Sequence, residues 1–320
     1  KMLNEQLLAG AHAPFWHNGD RITARNYNII IAALPAAIAG ILFFGIPALR
    51  VLALAVSSAM VWELLINRLM KKPPTIADGD AALIGLLLGM LLPATMPWYA
   101  VIAGTFVAIV VGKMIYGGLG CNPLNPVLVA FAILTLSWKV MLDYDAALVS
   151  YEVAFTPLYP LVALKHFGPA VVGKYDIWGL LMGNQLGGIG AVFGLGLVIG
   201  GCYLIVRGFI RWEISLSFLA GIFLTALIFN LAGPEKYASP VFHLVTGFSL
   251  IGAFFFATEN SSSPVNFIPM ILYGLGGGAM TVLIRNIGAF PEGVVFAILL
   301  MNVINPLVDK IRPRALGRRA

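Results

Sequence analysis

The stretch Gly117-Gly118-Leu119-Gly120-Cys121-Asn122-Pro123-Leu124-Asn125-Pro126 carries the most unusual polar chemistry in the chain. Two Asn-Pro pairs, three residues apart, open an apolar run. Proline suits the first helical turn, where its missing N–H would have no partner, and an asparagine before it can cap the helix. Each amide also offers a donor and an acceptor, which matches the carbonyl and imide edge of a planar heterocycle. Asn122 and Asn125 are therefore candidate ligand-binding residues, with a capped, glycine-packed helix entrance as the structural alternative. Glu63, Glu259 and Glu292 fall within or at the ends of apolar runs, where a carboxylate is costly and ion coupling is a default hypothesis. Glu259 and Glu292 are close enough to run ends to be interfacial, and Glu63 is near enough to Arg68 to snorkel. His12, His17, His166 and His243 have no metal-ligand spacing, so no metal site and no catalytic residue is expected. The glycines at 187, 188 and 190 and at 274, 276, 277 and 278 lack the strand–loop–helix setting of a nucleotide loop. Close helix packing explains them better.

The elements that must position these residues are membrane helices. The chain has 320 residues, of which 60% are hydrophobic and 11% charged, and its mean hydropathy is +0.92. Soluble domains carry roughly 25% charged residues. Apolar runs fall at about 27–46, 48–67, 81–96, 98–116 and 123–141, then at 188–208, 213–231, 240–258, 265–285 and 291–308. At roughly 20 residues per crossing, the expected fold is an all-α membrane protein of about ten transmembrane helices, with no room for a large soluble catalytic domain. The third run ends in Leu92-Pro93-Ala94-Thr95-Met96-Pro97, which predicts a helix that stops inside the membrane.

Basic residues set the expected orientation. Arg21/Arg25, Arg68/Lys71/Lys72, Lys113, Arg207/Arg211 and the cluster from Lys310 to Arg319 fall on one side of a ten-span topology. By the positive-inside rule that side is cytoplasmic, so both termini are expected there. The net charge of +6 is thus topogenic, and no nucleic-acid partner is expected. No signal peptide is visible in the polar residues 1–26. The divisions are a tail over 1–26, a first five-helix set over 27–141, an outward connection over 142–187, a second set over 188–308 and a basic tail over 309–320. Tyr144, Tyr151, Tyr159, Tyr175 and Trp178 make the long connection too aromatic for a disordered linker. Val129–Leu134 recurs as Val294–Leu299, and Ala94-Thr95 as Ala257-Thr258. Five spans per copy is odd, which predicts two inverted five-helix repeats with broken helices. Cys121 and Cys202 alone cannot hold an iron–sulfur cluster.

Gly117–Pro126 with Val127–Ser137 resembles the D subunit of the Rnf electron-transport complex and, more distantly, the B subunit of the sodium-pumping NADH:quinone oxidoreductase. Pro240–Leu244 through Phe255–Glu259, Ile284–Ala297 and Asn305–Asp309 with Arg312-Pro313-Arg314 agree, in family order. The resemblance implies a flavin-carrying subunit of an ion-translocating oxidoreductase in the bacterial cytoplasmic (inner) membrane, not an enzyme by itself. Electrons would pass between NADH and ferredoxin branches, coupled to sodium or proton translocation. It implies partner membrane and peripheral subunits with iron–sulfur clusters and flavin, and a separate flavin transferase. It places covalent FMN on Thr156 through a phosphoester. The family's Asp-x-x-(Ser/Thr)-Gly-Ala-Thr context is altered here, with Ser150 in place of the Asp and Val153-Ala154-Phe155 before the threonine. A noncovalent riboflavin near Asn122 and Asn125 is also implied. The residues alone leave a second reading, a channel or facilitator for a small polar solute lined by Thr95, Asn122, Asn125 and Thr258. A third is a structural membrane subunit that has lost its covalent flavin.

Overall fold

Proline and glycine set the ends of the helices. The computed structural model describes residues 22–147 and 158–311, all helix, turn or irregular chain without a strand. Thr156, with Ser150 and Tyr151, lies outside the described residues, as do 1–21 and 312–320. Helix α1 (Ile22–Phe44) contains Pro35, which frees the carbonyl four residues earlier. Gly45, at φ +70°, then turns the chain into α2 (Ile46–Leu69), with Pro47 in its first turn. Helix α3 (Asp80–Leu91) stops ahead of Pro93, and α4 (Trp98–Phe106) starts after Pro97. The expected break at 92–97 is present. Helix α4 then widens into a π-helical stretch over Val107–Val111, and α5 spans Pro126–Ser137.

Among its described residues, the connection from 142 to 187 holds three short α-helices, α6 (Tyr144–Ala147), α7 (Pro160–Phe167) and α8 (Ile177–Met182). Its described tyrosines, Tyr144, Tyr159 and Tyr175, are all buried, whereas Trp178 is exposed. Helices α9 (Gly194–Val206) and α10 (Trp212–Ala232) follow. The apolar run at 240–258 is not one helix. It splits into α11 (Pro240–Val245) and α12 (Ser249–Ile251), which passes into a second π-helical stretch over Gly252–Phe256. It is interrupted at Thr246–Phe248, and it ends at Phe256, where the polar break that follows Ala257-Thr258 begins. Gly247, at φ +65°, makes the turn at 246–248. Helices α13 (Phe267–Ile287) and α14 (Val294–Val308) complete the chain.

Among the described residues, five helices are long and apolar enough to cross a membrane: Ile22–Phe44, Ile46–Leu69, Trp98–Tyr116, Trp212–Ala232 and Phe267–Ile287. Shorter apolar helices at Asp80–Leu91, Pro126–Ser137, Gly194–Val206 and Val294–Val308 lie among them. The glycine clusters act as packing surfaces. A Cβ on Gly188 would meet the Leu91 carbonyl at 2.6 Å, and one on Gly274 or Gly278 would collide with α10. Small residues allow backbones to approach where lipid offers no hydrophobic driving force between helices.

Candidate functional site

Asn122 and Asn125 line the same cavity, of about 290 Å³. One wall is Arg25, Asn26 and Ile29 from α1; another is Asp80, Leu83, Ile84 and Leu87 from α3. Lys113, Phe255 and Glu259 complete the lining that matters chemically. The two asparagines have separate roles. Asn125 caps α5: its Oδ1 accepts from Val127 N (3.0 Å) and Leu128 N (3.3 Å), and its Nδ2 donates to Phe256 O (3.2 Å). The amide of Asn302 on α14, turned to satisfy its neighbours, accepts from Asn125 N at 3.0 Å. The Asn125 side chain is thus consumed by the fold. Asn122 Nδ2 donates to Leu124 O (3.1 Å) and reaches Glu259 Oε1 at 3.4 Å. Its Oδ1 makes no hydrogen bond among the described residues, which leaves an acceptor at the cavity wall.

A buried ion cluster stands on the α3 side of the cavity. Lys113 Nζ lies 3.0 Å from Glu63 Oε1 and 2.8 Å from Asp80 Oδ2. The lysine and Glu63 side chains are 2% and 1% exposed, so each charge depends on the other. Thr75 Oγ1 donates to Glu63, and Asn67 Nδ2 donates to Thr75 Oγ1 (2.9 Å). Glu63 therefore does not snorkel toward Arg68; it points inward to a cation fifty residues away. Glu259 is a turn anchor as well as a cavity residue, accepting from Ser261 N (3.2 Å) and Ser262 N (2.9 Å).

A second buried charge pair closes the break at 246–248. Arg285 donates to His243 O (2.8 Å), Thr246 O (3.3 Å) and Ser249 Oγ (2.9 Å), and approaches Glu292 Oε2 at 3.7 Å. These carbonyls are the unsatisfied C-terminal groups of α11. On the other side of the break, Phe248 N donates to Glu292 Oε2 (3.4 Å). Cation and anion thus cap opposite ends of one interrupted helix, in the sense the helix dipole favours. Glu292 is 8% exposed, so it is buried rather than interfacial. Both ring nitrogens of His243 lack a hydrogen bond, and the described residues form no group of His, Cys, Asp and Glu able to hold a metal.

The four residues of the solute-channel reading do not share one cavity. Thr95 is exposed at the 92–97 break, and the Thr258 hydroxyl is committed to Phe254 O (2.7 Å). Sequence reasoning missed the pairing of Lys113 with Glu63 and of Arg285 with Glu292. The available signal was a cation inside each apolar run, which requires a buried partner.

Asp145 ties the long connection by accepting from Tyr159 N at 2.5 Å. Burial and then the neighbouring Asp143 push its carboxyl up to about 6, with His166 acting in the opposite direction. The folded chain therefore holds this proton more tightly than the unfolded chain does. The stabilisation is complete below the ordinary aspartate pKa and is lost as pH rises through about 6. Asp145→Asn keeps the acceptor without the charge. It is expected to stabilise the fold by about 1 kcal/mol at pH 8 after solvent screening, with a smaller gain at pH 5. Thermal unfolding at the two pH values checks this; an equal gain at both would contradict it.

The family described as NQR2, RnfD, RnfE matches residues 10–317. The chain is 38% identical over 325 residues to the D subunit of the proton-translocating ferredoxin:NAD(+) oxidoreductase complex of Clostridium ljungdahlii, covering 99% of this chain and 98% of that one. It is 38% identical over 310 residues to the D subunit of the Na(+)-translocating ferredoxin:NAD(+) oxidoreductase complex of Acetobacterium woodii, covering 96% and 94%. With the D subunit of the ion-translocating oxidoreductase complex of Pectobacterium carotovorum it shares 33% over 345 residues, covering 97% and 98%. The family match runs through every described helix, and the chain is a multi-pass membrane protein that belongs to the NQR2, RnfD, RnfE family.

Proposed function

We propose that this chain is the flavin-carrying D-type subunit of an Rnf-type complex, in which electron transfer between NADH and ferredoxin branches is coupled to sodium or proton translocation. The observation that carries the reading is full-length similarity, at 38% identity, to the D subunits of two ion-translocating ferredoxin:NAD(+) oxidoreductase complexes. The shorter apolar helices and the interrupted 240–256 segment complete, in this reading, ten spans arranged as two inverted five-helix repeats. Both termini then face the cytoplasm and the 142–187 connection faces outward across the bacterial inner membrane. The partners are membrane and peripheral subunits with iron–sulfur clusters and flavin, plus a transferase that esterifies FMN to Thr156.

The cavity residues fit a noncovalent flavin such as riboflavin. Its volume of about 290 Å³ suits a tricyclic ring, and its lining alternates apolar walls with a few polar groups, as small-molecule sites do. Bound flavin supplies transfer of electrons one or two at a time. Asn122 offers its unpaired Oδ1 to a ring donor, while Asn125 fixes the entrance of α5 beside it. Ile29, Leu83, Ile84 and Phe255 would supply apolar wall to a bound ring. Arg25 and Lys113 share the lining with Asp80 and Glu259, so the charges of the cavity wall balance.

The test is the flavin content of the purified complex. Asn122→Leu removes the free acceptor at similar size, which should cost about 1–3 kcal/mol of binding. Noncovalent flavin extracted by denaturation is expected to fall well below stoichiometric while Thr156-linked flavin stays. Full retention would place the ring elsewhere, and a wild-type chain that carries no flavin once separated from its flavin-bearing partners would remove the flavin reading altogether.

A further inference from the structure

The long connection does more than bridge two helices. Tyr144 and Tyr159, fifteen residues apart, meet with tilted rings at 5.1 Å between centroids and are both buried. Each hydroxyl enters a different helix break. Tyr144 Oη donates to Leu91 O at 2.7 Å, the last residue of α3. Ile189 N and Gly190 N bind the neighbouring carbonyls of Leu92 (3.1 Å) and Met90 (2.8 Å). Tyr159 Oη donates to Glu292, the carboxylate that caps the break at 246–248. Phe248 links the two, with its ring 6.2 Å from Tyr144 and its N–H on Glu292. Leu161 packs so tightly over Gly247 that a Cβ there would meet its Cδ1 at 2.7 Å. Lys165 Nζ donates to Gly288 O (2.5 Å), just after α13.

We infer that Tyr144 and Tyr159 form a clasp through which the 142–187 connection locks the two helix breaks together, with Glu292 as its releasable half. The two arms differ in kind. Tyr144 binds a main-chain carbonyl, a neutral acceptor that nothing can titrate. Tyr159 binds a carboxylate, and a hydrogen bond to a charged acceptor is markedly stronger than a neutral one. Removing the charge at 292 therefore loosens the Tyr159 arm and leaves the Tyr144 arm unchanged. The aromatic contacts continue from Phe248 to Phe131 on α5, at 5.4 Å. Release of the clasp is thus felt on the helix that Asn125 caps.

The experiment uses the detergent-purified complex in a Cys121→Ser, Cys202→Ser background, with Ala163→Cys as reporter on the buried side of α7. Maleimide labelling of this chain is followed in gel. The reporter alone should label slowly, and Tyr159→Phe should raise the rate at least about tenfold, as loss of a charge-assisted bond implies. In Glu292→Gln, Tyr159→Phe should add less than about threefold, because the charged acceptor is already gone. In Tyr144→Phe its effect should stay clearly larger than in Glu292→Gln, because that variant keeps both ring contacts and the carboxylate acceptor. This pattern of coupling distinguishes a clasp from general loosening, which would multiply in both backgrounds. Tyr159→Phe leaves the Arg285–Glu292 pair intact, so it carries the test if Glu292→Gln fails to assemble. A Tyr159→Phe rate within twofold of the parent would overturn the inference. So would a full effect in Glu292→Gln, or a reporter that labels as fast as the denatured chain.

Discussion

Lys113→Met is expected to destabilise the protein by about 3–5 kcal/mol, the usual penalty for stranding a buried charge. Two carboxylates lose their common partner at once, and Glu63 has no route to water at 1% exposure. Desolvation decides the sign here: methionine fills nearly the same volume, so packing loss alone would cost far less. The measurement is the thermal midpoint of the purified complex, followed by intrinsic tryptophan fluorescence. Adding Glu63→Gln should recover part of the loss, since a neutral amide can still accept from Thr75. A double variant whose loss equals the sum of the two singles would show that Lys113 and Glu63 are not coupled. Asp80 is more exposed, at 17%, so Asp80→Asn should cost less than Glu63→Gln.

Thr156→Val should abolish covalent flavin outright. An esterified flavin survives denaturation, so the wild-type chain, made with the transferase, should give a fluorescent band on a denaturing gel. Valine keeps the shape of threonine and removes the hydroxyl, so the band should vanish while the chain accumulates to the same level. A band that persists in Thr156→Val would move the linkage to another residue. No band in the wild type would mean that Phe155 and its neighbours have closed the site to the transferase. Because the noncovalent cavity is tested separately through Asn122, failure of one flavin leaves the other standing.

Much of the helical layout is legible in the sequence, and the reasons are local. The interruption at 92–97 follows from Pro93 and Pro97, two residues four apart that cannot donate a helical N–H. The start of α5 follows from Asn125-Pro126, a cap and a first-turn proline in consecutive positions. The packing role of Gly188, Gly274 and Gly278 follows from their setting in apolar runs without a nucleotide-loop context. The break at 246–248 was less visible. Thr246-Gly247-Phe248 contains no proline, and position 247 has no room for a side chain because the Glu292 carboxylate and Leu161 crowd it, two contacts from distant segments.

Local patterns along the chain were enough to establish a multi-pass membrane protein and its family, and to single out one unusual polar stretch. Apolar run length, proline position and motif order are properties of neighbouring residues, so they can be read without coordinates. The crossing of the helices was needed to show that Asn122 keeps a free acceptor while Asn125 is spent on capping. The same crossing brings Lys113 to Glu63 and Tyr159 to Glu292, across 50 and 133 positions. A buried charge or hydroxyl must find a partner because leaving it unpaired in the interior is costly. That requirement says a partner exists; which residue supplies it depends on how distant helices meet.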